Sequence, residues 1–268
     1  MLSPGVVTQK WQRPSWVRNP ALRWALWLGS ALYLVLAVAS MEINWPRVMD
    51  GIPRGYTFVG AFFPPDFLSR SDSIVAGILE SLWMTVTSTV VGVLLSIPVG
   101  LGAARNLAPR SVYYVCRGIV ALARTFPEII VAIFFVKLFG FGPFAGFLAL
   151  SLGTIGFYGK LLAEDIEDMD RDQAEAIRAT GATWFQWLNY GVQPQVMPRM
   201  IGLALYRFDI NFRESAVVGI VGGGGIGATL LTSFDRYEFD SSAAILLVII
   251  GIVMVLEYSS GYLRQWVQ

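Results

Sequence analysis

The chain has 268 residues, 55% of them hydrophobic and only 15% charged, with a mean hydropathy of +0.57. Soluble domains carry roughly 25% charged residues, and here the apolar residues gather in runs long enough to cross a bilayer, which takes about 20. The balance of 20 basic against 19 acidic residues gives no sign of nucleic-acid binding, and the absence of histidine removes the commonest general base and metal ligand. Cys116 stands alone, so no intramolecular disulfide can form.

A first span is read at residues 21–41, too long for a signal-peptide core and lacking a small-residue cleavage site, hence retained. Residues 1–20 ahead of it carry Lys10, Arg13 and Arg18 without an acidic residue, and Arg23 follows. By the positive-inside rule this segment is cytoplasmic. Residues 42–73, rich in proline, glycine and aromatics with mixed charge, read as an outside loop lying against the membrane interface. A second span at 74–104 contains Pro98 and precedes a basic cytoplasmic loop with Arg105 and Arg110.

The third span, 113–139, is interrupted by Thr125-Phe126-Pro127-Glu128. A proline there removes a backbone bond and kinks the helix. A Gly-Phe-Gly-Pro turn at 140–143 reverses the chain outside, and a fourth span covers 144–162. A polar cytoplasmic stretch occupies 163–195, the fifth span 196–221 and the sixth 243–262, with Arg264 inside. The expected fold is therefore all-α and membrane-integral, with six spans and both termini cytoplasmic. The acidic run Glu164 to Asp170 in the cytoplasmic loop is discordant, but acidic residues contribute little to orientation.

Within that loop, residues 173–180 suit a short helix broken by Gly181. Residues 183–190 suit a second, bearing Trp184, Phe185, Trp187, Leu188 and Tyr190 and ending at Gly191 ahead of Pro194. Two readings stand: an interfacial amphipathic helix, or a docking element whose aromatic residues fill a groove on a cytoplasmic partner.

The spacing Glu175-Ala176, four residues, Gly181, twelve residues, Pro194 resembles the EAA loop of ABC-importer permeases, with Ile177 in place of the second alanine. Arg124 to Glu128, Tyr190 to Pro198, Leu205 to Arg213 and Val218 to Gly227 resemble permeases of phosphonate importers. The resemblance covers residues 70–265, so 74–265 is read as a permease core. It implies the methionine-importer-like (MetI-like) type I importer fold in a prokaryotic inner or plasma membrane. It also implies a permease homodimer, two ATPase subunits that hold ATP and magnesium, and a periplasmic or lipid-anchored binding protein. In that family the loop contacts the ATPase, which gives Glu175, Ala176, Gly181, Ala182, Trp184, Phe185, Trp187 and Leu188 a coupling role. Phosphonate, phosphite and phosphate are the solutes implied, with methionine as the alternative.

Ionisable residues at membrane depth are functional candidates. At about 100° per residue, Arg207, Asn211 and Glu214 share one face of the fifth span, and Asp209 and Arg213 lie on another at i,i+4. These charges either pair internally or present guanidinium groups to an anion in transit. Arg124 and Glu128, also i,i+4, form either a clasp across Pro127 or a gate facing the pathway.

Gly222, Gly224 and Gly227 satisfy the dinucleotide pattern G-x-G-x-x-G. That fingerprint needs a soluble strand-turn-helix unit, whereas here the preceding run ends a membrane helix. Pro127 and the glycines Gly222, Gly223, Gly224, Gly225 and Gly227 are read instead as an outer gate or hinge leading to a short helix at 226–233. No cofactor or metal is expected on this chain. It has no P-loop, since Gly159-Lys160 is followed by Leu161. A membrane-embedded enzyme would need a clustered nucleophile and base, and no such set is present.

Overall fold

A computed structural model describes residue 17 and residues 19–267, with side chains as far as Tyr262. Lys10, Arg13, Arg18 and the Arg264 side chain lie outside the described residues, as does nearly all of the 1–20 segment. The chain divides into two compact units, Met1–Val59 and Gly60–Gln268.

The first unit holds α1 (Pro20–Ala39) and most of α2 (Trp45–Gly60). The Asn19 side chain accepts the Ala21 N–H at 3.0 Å, and Pro20 occupies the first turn, where its missing N–H costs nothing. None of the 20 residues of α1 is buried, as befits a helix whose solvent is lipid. The 42–73 stretch is not all loop, because α2 occupies half of it. Trp45, Val48, Met49, Ile52, Tyr56 and Val59 fall on one side of α2, and Arg47, Asp50, Arg54 and Thr57 fall opposite. That 3.6-residue period outweighs the prolines and glycines that suggested irregular structure.

The second unit is built on α3 (Ser71–Ala103) and α6 (Pro143–Glu167), which lie against each other. Small residues allow the approach: a methyl group added at Gly92 would come 2.5 Å from Thr154 Cβ, and one at Gly100 would come 2.7 Å from Leu162. Around them stand α4 (Arg110–Thr125), α5 (Glu128–Phe139), α9 (Gln193–Val218) and α11 (Phe239–Val267).

Helices α4 and α5 meet at 91°, so residues 113–139 are a broken pair and not a kinked rod. Phe126 and Pro127 are both extended, because a proline drives the residue before it out of the helical region. Similarly, α9 ends in a π turn (Gly219–Gly223), Gly224 intervenes, and α10 (Gly225–Asp235) departs at 57°. Among the described residues, α1, α3, α6 and α11 are each long and apolar enough to span a membrane; the two bent pairs raise the number to as many as six.

At the other end of α9 lie α7 (Arg171–Ala179) and α8 (Trp184–Trp187). Helix α6 runs on to Glu167, past the expected end of the fourth span. The aromatic helix does not stop at Gly191. It passes through a π turn (Leu188–Val192) straight into α9, because Pro194 falls in the first turn of α9, where a proline is tolerated. A buried cluster of Tyr158, Leu162, Ile166, Trp187, Val192, Val196 and Met200 closes this end, and Ile74, Ile226, Leu230 and Ile245 close the end near α10.

Candidate functional site

The centre of the second unit is polar. Arg207 on α9 is 3% exposed, and its guanidinium donates to Thr154 Oγ1 at 3.1 Å, to Glu214 Oε2 at 3.2 Å and to Glu128 Oε1 at 3.4 Å. One turn along, the fully buried Asn211 donates to Thr89 Oγ1 at 2.8 Å and to Thr154 Oγ1 at 3.0 Å. Four helices (α3, α5, α6 and α9) are thus joined through one layer of side chains. Each carboxylate offsets part of the Arg207 charge, which a low-dielectric interior requires.

Gly153 on α6 makes room for the layer: a methyl group there would lie 2.8 Å from both Arg207 Nη2 and Glu128 Oε1. Sequence reasoning found the charged members by helical periodicity and missed Thr89, Thr154 and Gly153. Thr89 belongs to a run of small and hydroxyl residues, Ser81, Thr85, Ser88, Thr89, Gly92 and Ser96, buried along α3, the pattern by which membrane helices join; Gly153 and Thr154 lie opposite it on α6.

Asp209 and Arg213 form an ion pair on another side of α9. Asp209 is buried and its Oδ1 has no hydrogen-bond partner among the described residues, whereas the Arg213 side chain is 46% exposed. They line an open pocket of ≈ 710 Å³ with Glu257 and Tyr258 of α11. Arg124 and Glu128 are not brought together. The 91° break turns Glu128 toward Arg207 and leaves Arg124 exposed beside Gly156, so no clasp forms between them.

The foot of α9 has two sides. Trp187, 4% exposed, donates its indole N–H to Ala174 O at 2.9 Å, and the Arg178 guanidinium covers its ring at 4.3 Å. Leu188 is half-buried against the same cluster. Trp184 and Phe185 point outward, 45% and 71% exposed, in edge-to-face contact with each other. Glu175, Ala176 and Gly181 are exposed, Ala182 is half-buried, and Gly181 adopts φ +82°, which turns the chain between α7 and α8. Thr183 starts α8 with a capping box to Gln186.

At the far end of α9, Gly222, Gly224 and Gly225 have φ of +99°, +78° and +72°, the region glycine enters freely. The Gly142 N–H donates to Gly222 O at 2.9 Å, and Gly223 packs on Gly146. The Ile226 N–H at the start of α10 donates to Ser81 Oγ at 3.0 Å. A methyl group on Gly224 would come 3.0 Å from Glu80 Oε1, so this loop meets a carboxylate and a hydroxyl of α3. Gly227 abuts the carbonyl of Ala216.

The family described as "Binding-protein-dependent transport system inner membrane component" matches residues 96–268. A phosphate-import permease of Mycolicibacterium smegmatis is 40% identical over 231 residues, 86% of this chain and 43% of that protein, so this chain spans less than half of that relative. A phosphite transport system permease of Stutzerimonas stutzeri is 39% identical over 261 residues, 95% of this chain and 94% of that protein. A putative cryptic phosphonate transport permease of Escherichia coli K12 is 44% identical over 118 residues, 44% of this chain and 97% of its own length. Among solved structures, the inward-facing MetNI methionine ABC transporter matches with a TM-score of 0.64 at 24% identity, covering 73% of this chain and 96% of that one, a likeness of fold.

Proposed function

The chain belongs to the family of inner membrane components of binding-protein-dependent transport systems, transport subunits and not enzymes, and from that premise we propose that it forms the pathway of an ATP-driven importer for phosphonate, phosphite or phosphate. The observation that carries the substrate class is the 39% identity, across nearly the whole of both chains, to a relative named for phosphite transport. Relatives named for D-methionine transport, such as that of Vibrio cholerae, stand further off at 26% identity.

In this reading the outward side of the foot, with Glu175, Ala176, Gly181, Ala182, Trp184 and Phe185, seats on a cytoplasmic ATPase subunit that holds ATP and magnesium. Trp187 and Leu188 fix the foot to the bundle. The division of the aromatics into an anchored and an outward pair supports this: exposed aromatics beside a rigid turn suit a partner groove. Both termini are cytoplasmic, a second copy of the permease completes the pathway, and a binding protein delivers solute at the glycine end.

Arg124, Glu128, Arg207, Asp209, Asn211, Arg213 and Glu214 border the pathway in this reading, and Pro127 with Gly222 to Gly225 and Gly227 forms its outer hinge. Cations whose charge is partly offset hold an oxyanion loosely enough to release it. The test is reconstitution of the chain with its ATPase and binding protein in liposomes, followed by uptake of labelled phosphate, phosphite, methylphosphonate and methionine. ATP-dependent accumulation of a phosphorus oxyanion supports the reading; uptake of methionine alone refutes it.

A further inference from the structure

One face of α4, of which the arrangement above uses Arg124 alone, carries a row of arginines. Arg110, Arg117 and Arg124 stand seven residues apart, so each is turned about 20° and advanced about 10.5 Å from the one before. Arg110 is exposed at the first residue of α4. Arg117 donates Nε–H to Ala103 O at 2.8 Å and pairs with Glu167 at 2.8 Å. Arg124 is exposed in the last turn and has no carboxylate within ion-pair distance among the described residues. Val112, Val115, Ile119 and Leu122 occupy a different side of the helix, whereas Ala121 and Thr125 border the arginines.

Every arginine on α9 in the described bundle core has its carboxylate: Arg207 has Glu128 and Glu214, and Arg213 has Asp209. Arg124 on α4, like Arg110, has none among the described residues, and an uncompensated cation at membrane depth is expensive. Its stem passes beside Gly156, one turn of α6 from Gly153, where Arg207 and Glu128 meet. The row therefore begins next to the buried cluster and ends at the rim of α4, about 21 Å away.

We propose that this face of α4 holds a phosphorus oxyanion, received beside Arg207 and passed by Arg124 and Arg117 to Arg110. Identifying that oxyanion as the solute in transit rests on the transport reading above. The phosphate of a lipid headgroup offers the same chemistry. Guanidinium forks match the oxygens of either, and Glu167 beside Arg117 weakens the grip so that the anion moves on.

The test places a cysteine at Ala121, between Arg117 and Arg124, in a C116S background. It compares labelling by an anionic sulfonatoethyl methanethiosulfonate with labelling by its trimethylammonium analogue. The assembled transporter is held in maltoside micelles, which carry no phosphate, and rates are normalised to a free thiol. Expected are at least about tenfold faster labelling by the sulfonate, protection by inorganic phosphate, and loss of both in R124Q and R110Q. Equal labelling by the two reagents, unmoved by R110Q or R124Q, overturns the proposal. Repeating the measurement with phosphatidylglycerol assigns the source. Preference and protection abolished by the anionic lipid identify a headgroup; preference and protection retained identify the solute. Labelling does not depend on uptake, so a wild-type transporter that fails to move phosphorus oxyanions refutes the transport reading while this site stands or falls on its own.

Discussion

Arg207 reaches Glu128 across a break in the chain: its Nη2 lies 3.4 Å from the Oε1 of the first residue of α5, so α9 is tied to the helix pair that turns through 91°. The same nitrogen lies 3.2 Å from Glu214.

Removing Arg207 leaves two carboxylates facing each other. Breaking a buried pair from one side costs about 3–5 kcal/mol, and the partial exposure of Glu128 and Glu214 puts R207Q at about the lower end of that range. Thermal melting in detergent should show it, with the E128Q/R207Q double variant recovering part of the loss.

Gly153 tests the same layer by volume. G153A should lower the melting temperature and slow transport, because the methyl group would sit 2.8 Å from Arg207 and Glu128. G118A, at a site with nothing within 4 Å, is the control and should leave both unchanged. Equal melting of the two variants would refute this account of the layer.

The aromatics of the foot should separate. W187A empties a buried site and should cost about 3–5 kcal/mol, whereas W187F loses mainly the bond to Ala174 O, about 1 kcal/mol. W184A and F185A should shift stability by no more than about 0.5 kcal/mol yet reduce co-purification of the ATPase subunit. Melting and pull-down, measured on the same preparations, check both halves.

In the glycine break, G224A forces a side chain to φ +78° against Pro143 and Glu80, at about 1–3 kcal/mol. G251A, in open space on α11, should be neutral. Slower uptake in G224A, with foot-to-ATPase binding intact, would locate the defect at the break.

Hydropathy made α1, α3, α6 and α11 legible within a few residues, since a long apolar run has few other fates; α9 is no such run, because Arg199, Arg207, Asp209, Arg213 and Glu214 interrupt it, yet its bounds were also legible within a few residues. The helix in 42–73 was not, because Pro46, Gly51, Pro53 and Gly55 spoke for a loop and the six apolar residues of α2 were too widely spaced to register as a run. On α9 the periodicity placed Arg207, Asn211 and Glu214 together. That Glu128 would join Arg207 was illegible, because it faces Arg207 only after Phe126 and Pro127 bend the chain, and sequence spacing paired it with Arg124 instead. Thr89 and Thr154 were invisible for a different reason: an isolated threonine in a membrane helix usually satisfies itself, as Thr154 also does by donating to Leu150 O at 2.7 Å.

Because α8 flows into α9 through the π turn at Leu188–Val192, the backbone stays helical from Trp184 to Val221, about 55 Å at 1.5 Å per residue. Gly222, with φ +99°, ends that rod. The cluster of Trp187, Val192, Val196 and Met200 with Tyr158, Leu162 and Ile166 clamps it at the foot, and the layer at Arg207 and Asn211 clamps it again nearer the glycines. A rod clamped twice by α6 has little freedom to pivot on its own. Any displacement of the foot has to carry α6 and α9 as one body, and the break at Gly222 is where that body can part from α10.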